Sequence, residues 1–285
     1  MIWLKWLALI IGVLVAALLI AAAYGKSRWT KSSERLLAKI EAARLPAAIS
    51  RYDVRELEGL PTPVQRYFRA VLHDGQPIIT AVSIEQVGSM NMSTTAQQWK
   101  PFTAKQRFVT RRPGFLWDAK IMMLPGVPVY VHDAYIAEDG LLNGAVLGLI
   151  PVVNVSGTPE MAQGELLRFF AEAAWYPTAL LPSQGVHWQP IDERSASATL
   201  TDGNTGVTLT IRFYEDGLIE SFYAPARGRM VDGKASSAPW QGRLWNYVLR
   251  DGMRVPLEGE AAYLMPEGEQ IYWRGKVTSI RFAHE

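Results

Sequence analysis

The chain of 285 residues contains no cysteine. That excludes a disulfide framework and a thiolate zinc site, and it leaves the redox compartment open. Its four histidines, His73, His132, His187 and His284, are isolated in sequence. The text holds no glycine-lysine phosphate loop, dinucleotide glycine fingerprint, nucleophile elbow or paired-histidine zinc helix. No catalytic residue, metal ligand set or cofactor is therefore assigned. Neither sign of charge is in surplus: 29 Lys and Arg against 27 Asp and Glu give a net charge of +2. Such a balance does not point to nucleic acid. Internal repeats and low-complexity tracts are also absent.

What is present begins with Trp6 to Gly25, an uncharged run of Leu, Ile, Val and Ala. A run of this length spans a hydrocarbon core as one helix, and Trp3, Trp6, Tyr24 and Trp29 suit the headgroup zones on either side. A cleaved signal peptide competes with this reading, because Lys5 precedes the run and Ala21, Ala22 and Ala23 form a small-residue site. The length exceeds a signal core of about 7 to 15 residues, so a retained single-pass anchor is expected. Orientation draws on opposed cues. Lys26, Arg28, Lys31, Arg35, Lys39 and Arg44 follow the run, which counted literally places the rest in the cytoplasm. The short N-terminal flank resembles a signal anchor, and the expectation is the extracytoplasmic face of the cell membrane.

The chain divides into an anchor at 1–25, a basic amphipathic connector at 26–59 and one domain at 60–285, with ample material for a core. In the connector, Arg28, Lys31, Arg35 and Lys39 share one helical arc and Leu36, Leu37, Ile40 and Ala43 another. The pattern fits an interfacial helix on anionic lipid or a solvated connector. Thr62, Pro63, Val64 and Gln65 read as a capping box, with an amphipathic helix running to Asp74-Gly75.

From about Ile78 the periodicity becomes that of strands. Asp-Gly recurs at 74, 139, 202, 216, 232 and 251 as a hairpin signal, and Val207, Leu209, Ile211 and Phe213 alternate with polar residues. The stretch Asp232 to Pro239 reads as a hairpin loop. Strands that bury one face predict antiparallel hairpins. One helix, capped at Gly157-Thr158-Pro159-Glu160, interrupts them and runs to about Trp175. The fold class is mainly β (α+β): a curved antiparallel sheet or incomplete barrel with a few helices against its concave face.

On that helix, Glu165, Arg168 and Glu172 are spaced so that two carboxylates flank one guanidinium, a ligand-binding candidate or an ordinary solvated ion-pair stripe. His132 with Asp133 is an acid-base candidate or a plain strand pair. Trp117, Tyr130 and Trp273 stand for the aromatics that either fill the core or line an apolar pocket.

The stretches LPTPVQRYFRAVL (60–72), WKPFTAKQRF (99–108), RPGFLWDAKI (112–121), GTPEMAQGELLRFFAEAAWYPTALLP (157–182) and GMRVPLEGE (252–260) resemble a family of bacterial proteins classed as a domain of unknown function, often with an N-terminal anchor. The resemblance implies no activity, cofactor or catalytic residue. Element order and aromatic content also resemble the fold of the lipoprotein carriers LolA and LolB, which implies a sheet that wraps helices and holds acyl chains. The function expected is a membrane-anchored, non-enzymatic module binding a lipid or other apolar ligand. The alternative is a membrane-bound hydrolase or transferase using acidic residues of the helix 158–175. Partners expected are membrane lipid and an apolar ligand, with no nucleic acid and no identifiable protein partner.

Overall fold

The computed structural model describes residues 2–46, 48–231 and 234–284. Helix α1 (Ile2–Ala43) is one continuous helix of 42 residues, so residues 2–25 and 26–43 belong to a single element. Every side chain from Ile2 to Ile20 is exposed, and by length and composition the helix can cross a membrane. Beyond that stretch the helix turns inward at Gly25, Ser33, Leu36 and Ile40, which are buried. Spacings of eight, three and four put these residues on one side.

Helix α2 (Thr62–Val71) starts at Thr62 rather than being capped by it. Pro61 occupies the cap position, and Gln65 donates its amide to the Leu60 carbonyl at 2.8 Å, which replaces the expected capping box. Helix α3 (Pro159–Ala171) follows the reading closely: Thr158 caps it by accepting the Met161 amide at 3.2 Å. A short 3-10 turn carries it on to Trp175.

Thirteen strands follow one another through a single antiparallel sheet: β1 (Ala81–Asn91), β2 (Trp99–Val109), β3 (Gly114–Leu124), β4 (Val127–Ile136), β5 (Asp139–Val146), β6 (Ile150–Ser156), β7 (His187–Asp192), β8 (Ser195–Asp202), β9 (Thr205–Phe213), β10 (Ile219–Val231), β11 (Lys234–Arg250), β12 (Met253–Met265) and β13 (Gly268–Ala283). Their spatial order is β6-β5-β4-β3-β2-β1-β13-β12-β11-β10-β9-β8-β7, which leaves β6 and β7 as unpaired edges and the barrel unclosed. Residues 234–239, expected in a loop, belong to β11; Asp232 and Gly233 lie outside the described residues.

Helix α3 links the two edge strands in sequence and packs on β3, β4 and β5 from one wing and on β9 and β10 from the other. The sheet therefore curves around it. Alternation along each strand separates two faces. Phe115 and Trp117 on β3 join the large core that contains Phe169, Phe170 and Tyr176, while Leu116 between them faces outward to Leu36 and Ile40 of α1, beside Ala81, Val109 and Ala134. Leu36, Leu37 and Ile40 of the connector's apolar arc thus pack on the sheet's outer face, where the pattern alone fits either an interfacial helix on lipid or a solvated connector.

Gly140 is an Asp-Gly glycine that does not sit in a turn. It lies inside β5, and a side chain there would meet the Met161 backbone at 2.6 Å, so the glycine is needed for α3 to sit this close. The turn before it is formed by Ala137 and Glu138, both at positive φ.

Candidate functional site

Between the sheet's inner face and α3 lies a cavity of about 1340 Å³. Ile121, Val131, Leu142, Val153 and Val155 supply an aliphatic wall from β3 to β6, and Trp117, Trp175, Trp240, Tyr263, Tyr272 and Trp273 supply rings. The Trp273 ring of that wall rests on glycine. Gly88, Gly275 and Gly259 align across β1, β13 and β12. A side chain at Gly275 would meet the Trp273 ring at 2.2 Å, so the missing side chain is what lets that indole lie along the strand. Phe102 stacks on Trp273 at 6.1 Å and meets Trp117 edge-on at 5.5 Å.

Helix α3 carries Glu165, Arg168 and Glu172 into this wall, where Asp133 of β4 joins them. The Arg168 guanidinium donates to Asp133 at 2.6 Å and to Glu172 at 3.0 Å, and it lies 5.1 Å from the Phe115 and Trp117 rings. Glu172 also accepts from Gln106 at 2.7 Å. The trio is an inward, partnered cluster and not a solvated stripe. Burial pushes the Glu165 carboxyl well above the ordinary carboxylate range, and the negative charge of Asp133 adds to the effect. Burial raises Glu172 as well, against the pull of Arg168.

Two further arginines reach the cavity from β10. Arg227 and Arg229 follow a bulge at Ala224 to Arg227 and, two residues apart, share the inner face. Arg227 lies over the Trp240 ring at 5.0 Å and donates to the Tyr272 hydroxyl at 2.7 Å. Arg229 lies over the Tyr263 ring at 4.6 Å and donates to Gln270 at 3.3 Å. Neither arginine was singled out in the sequence. The available signal was a pair of arginines two apart on a strand among aromatic partners.

The sequence candidates fall on both faces. Glu165, Arg168, Glu172, Trp117, Asp133 and Trp273 meet at the cavity; Tyr130 and His132 do not. Tyr130 stacks on Trp29 of α1 at 5.8 Å on the opposite face. His132 is 1% exposed, lies 4.0 Å from the Trp29 ring and 2.8 Å from Ser33 Oγ, and is pushed down to about 4 by burial, against the opposing charge of Asp118. Ser33 also donates to Asp118 at 2.7 Å, and Trp29 donates to the same carboxylate at 3.0 Å. This is not a nucleophile triad. Asp118 approaches the same imidazole nitrogen that Ser33 does, at 3.7 Å, so it does not orient the far one. The cluster fastens α1 to the sheet.

Residues 58–282 match a family described as "Family of unknown function (DUF6920)". No curated protein matches the chain. Among solved structures, a LolA superfamily protein from Nitrosomonas europaea aligns over 78% of this chain and 92% of its own, at 10% identity and a TM-score of 0.31. A beta-barrel-like protein of domain of unknown function DUF1849 from Brucella abortus aligns over 73% and 100%, at 11% identity and a TM-score of 0.20.

Proposed function

The chain belongs to the DUF6920 family, and we propose that it is a membrane-anchored, non-enzymatic module that holds a lipid or another apolar ligand beside the bilayer. The observation that carries this reading is the cavity of about 1340 Å³ with aliphatic and aromatic walls, a size and lining suited to an acyl ligand.

The position of α1 supports it. Gly25 packs on the β5–β6 turn, where a side chain would meet the Leu147 carbonyl at 2.0 Å. The apolar stretch of α1 therefore leaves the domain at the strand ends that also carry the β1–β2 loop, and Met92 to Gln97 of that loop line the cavity. Leu124, Ile150 and Val152 are exposed at the same edge of this wing. In this reading residues 2–24 cross the membrane, the domain sits on the extracytoplasmic face, and ligand exchanges over a short path between bilayer and cavity.

The test is lipid extraction and mass spectrometry on the full chain after exhaustive detergent exchange. A retained lipid in stoichiometric amount is expected; its absence overturns the proposal. Orientation is read separately by adding protease to intact cells, where cleavage of the domain is expected and full protection contradicts the assignment.

The convergence of Asp133, Glu165 and Glu172 favours one second reading, acid-base chemistry on a bound ligand. Glu165→Gln and Glu172→Gln separate the two: loss of a cellular phenotype with lipid retention unchanged supports chemistry over carriage.

A further inference from the structure

We propose that the cavity selects an amphiphile with an acidic head, such as a fatty acid or an anionic lipid, and that Arg227 and Arg229 hold the acid group. The proposal deepens the lipid-binding reading and rests on it.

Most cavity arginines are neutralised within the protein. Arg168 is engaged by Asp133 and Glu172, Arg243 by Glu260 and Glu269, and Arg274 by Glu260. Arg227 and Arg229 differ: among the described residues neither has a carboxylate within ion-pair distance, and their partners are neutral. The Arg227 Nε atom is buried and has no hydrogen-bond partner among those residues. A buried cationic donor left unpaired is costly unless a ligand satisfies it.

The surroundings fit an anion. The rings of Trp240 and Tyr263 support the two guanidiniums from one side. Tyr272 accepts from both Arg227 and the Trp240 indole, at 2.7 and 3.1 Å, which fixes the first guanidinium in place. A planar guanidinium offers the paired donors that carboxylate and phosphate oxygens require. Glu165, whose carboxyl feels the charge of Arg227, is held towards its protonated form by burial and by Asp133, which reduces repulsion of an incoming anion. The aliphatic wall of Ile121, Val131, Leu142, Val153 and Val155 belongs to the other wing of the sheet, so head and chain find separate surfaces in one cavity.

The experiment uses the full chain in phosphatidylcholine nanodiscs with a photo-crosslinking fatty acid and its methyl ester, the crosslinked peptides being mapped to the cavity wall. The acid is expected to label about tenfold more strongly than the ester, the discrimination one charge-assisted contact supplies. In the double variant Arg227→Gln, Arg229→Gln the preference falls to within about twofold while ester labelling persists. Should ester labelling fall too, the single variants Arg227→Gln and Arg229→Gln decide: a reduced acid preference with ester labelling kept supports the site, and an unchanged preference in both overturns it. Equal labelling by acid and ester in the native chain overturns the head-group site while leaving the apolar reading intact. No saturable labelling by either probe overturns the apolar reading itself. Displacement by inorganic phosphate as efficient as by unlabelled fatty acid assigns the site to a free anion and overturns the amphiphile.

Discussion

Glu165 and His132 are both buried ionisable groups, and both oppose folding in opposite pH ranges. The folded-state pKa of Glu165 lies above its unfolded value, so the fold keeps a proton that the unfolded chain releases once pH passes about 4.5. Stability contributed by this group is complete below that pH and is lost as pH rises. Glu165→Gln keeps a donor for Asp133 and removes the titration. Its thermal midpoint is expected to equal that of the native chain near pH 4 and to exceed it at pH 7. The gap widens by about 1.4 kcal/mol per pH unit while the folded carboxyl stays protonated. Equal midpoints at pH 7 would contradict the burial of this carboxyl. For His132 the sign reverses. Its pKa falls from 6.5 to about 4, so its contribution is complete above 6.5, declines as pH falls through that window and is gone below 4. The amount at stake is about 3 kcal/mol. Protection from hydrogen exchange along residues 29–40, taken relative to the intrinsic exchange rate at each pH, is expected to fall over that window in the native chain and to stay level in His132→Gln. The Glu165, Arg168 and Glu172 spacing was legible as a constellation, but its burial was not. Periodicity places residues on a helix face; whether that face meets water or a cavity depends on what the sheet brings opposite it.

At the scale of elements, local signals are legible in the sequence and long-range docking is not. The alternation of Val207, Leu209, Ile211 and Phe213 gives β9 its buried face, and the Thr158-Pro159 start gives α3 its cap. The 26–43 segment shows the limit. Its amphipathic pattern is present, yet the pattern alone does not distinguish a lipid surface from the outer face of a sheet, and the docking residues Gly25, Trp29 and Ser33 are polar, aromatic or small. Gly25 makes the docking testable. A methyl group there meets the Leu147 carbonyl oxygen at 2.0 Å, and backbone on both sides leaves little room to relax. Gly25→Ala is expected to cost about 1 to 3 kcal/mol of α1 docking. The check is faster hydrogen exchange at Leu147 to Leu149 with the remaining sheet unaffected. Unchanged protection at that turn would mean that helix and turn are not in register.

On the whole-molecule scale, the unclosed sheet is held together across its gap at one place and kept apart around the cavity at another. Arg112, at the β2–β3 turn, donates to Asp202 at 2.9 Å and pairs with Glu138; Tyr135 of β4 donates to the other Asp202 oxygen at 2.9 Å. Glu138 in turn accepts the Asn204 amide at 3.0 Å, so β8 and its turn are tied to the opposite wing without strand pairing. A fully closed barrel would leave α3 no room, and an untied sheet would let the cavity collapse or splay. The tie and the cavity are separable by mutation. Asp202→Asn keeps an acceptor for Tyr135 but leaves Arg112 with one carboxylate fewer, and is expected to lower stability by about 2 kcal/mol, discounted for the partial exposure of Arg112. Ala171→Trp instead fills the cavity from α3, because Ala171 lies in its wall. That variant is expected to keep the native unfolding midpoint within a few degrees and to lose the retained lipid in the mass-spectrometric assay. The reverse pattern, lipid retained with the cavity filled, would place the ligand on the exposed Leu124, Ile150 and Val152 surface and remove the cavity from the proposed function. Loss of lipid from both variants would show that holding the wings together is itself a condition for binding, since Asp202 does not line the cavity.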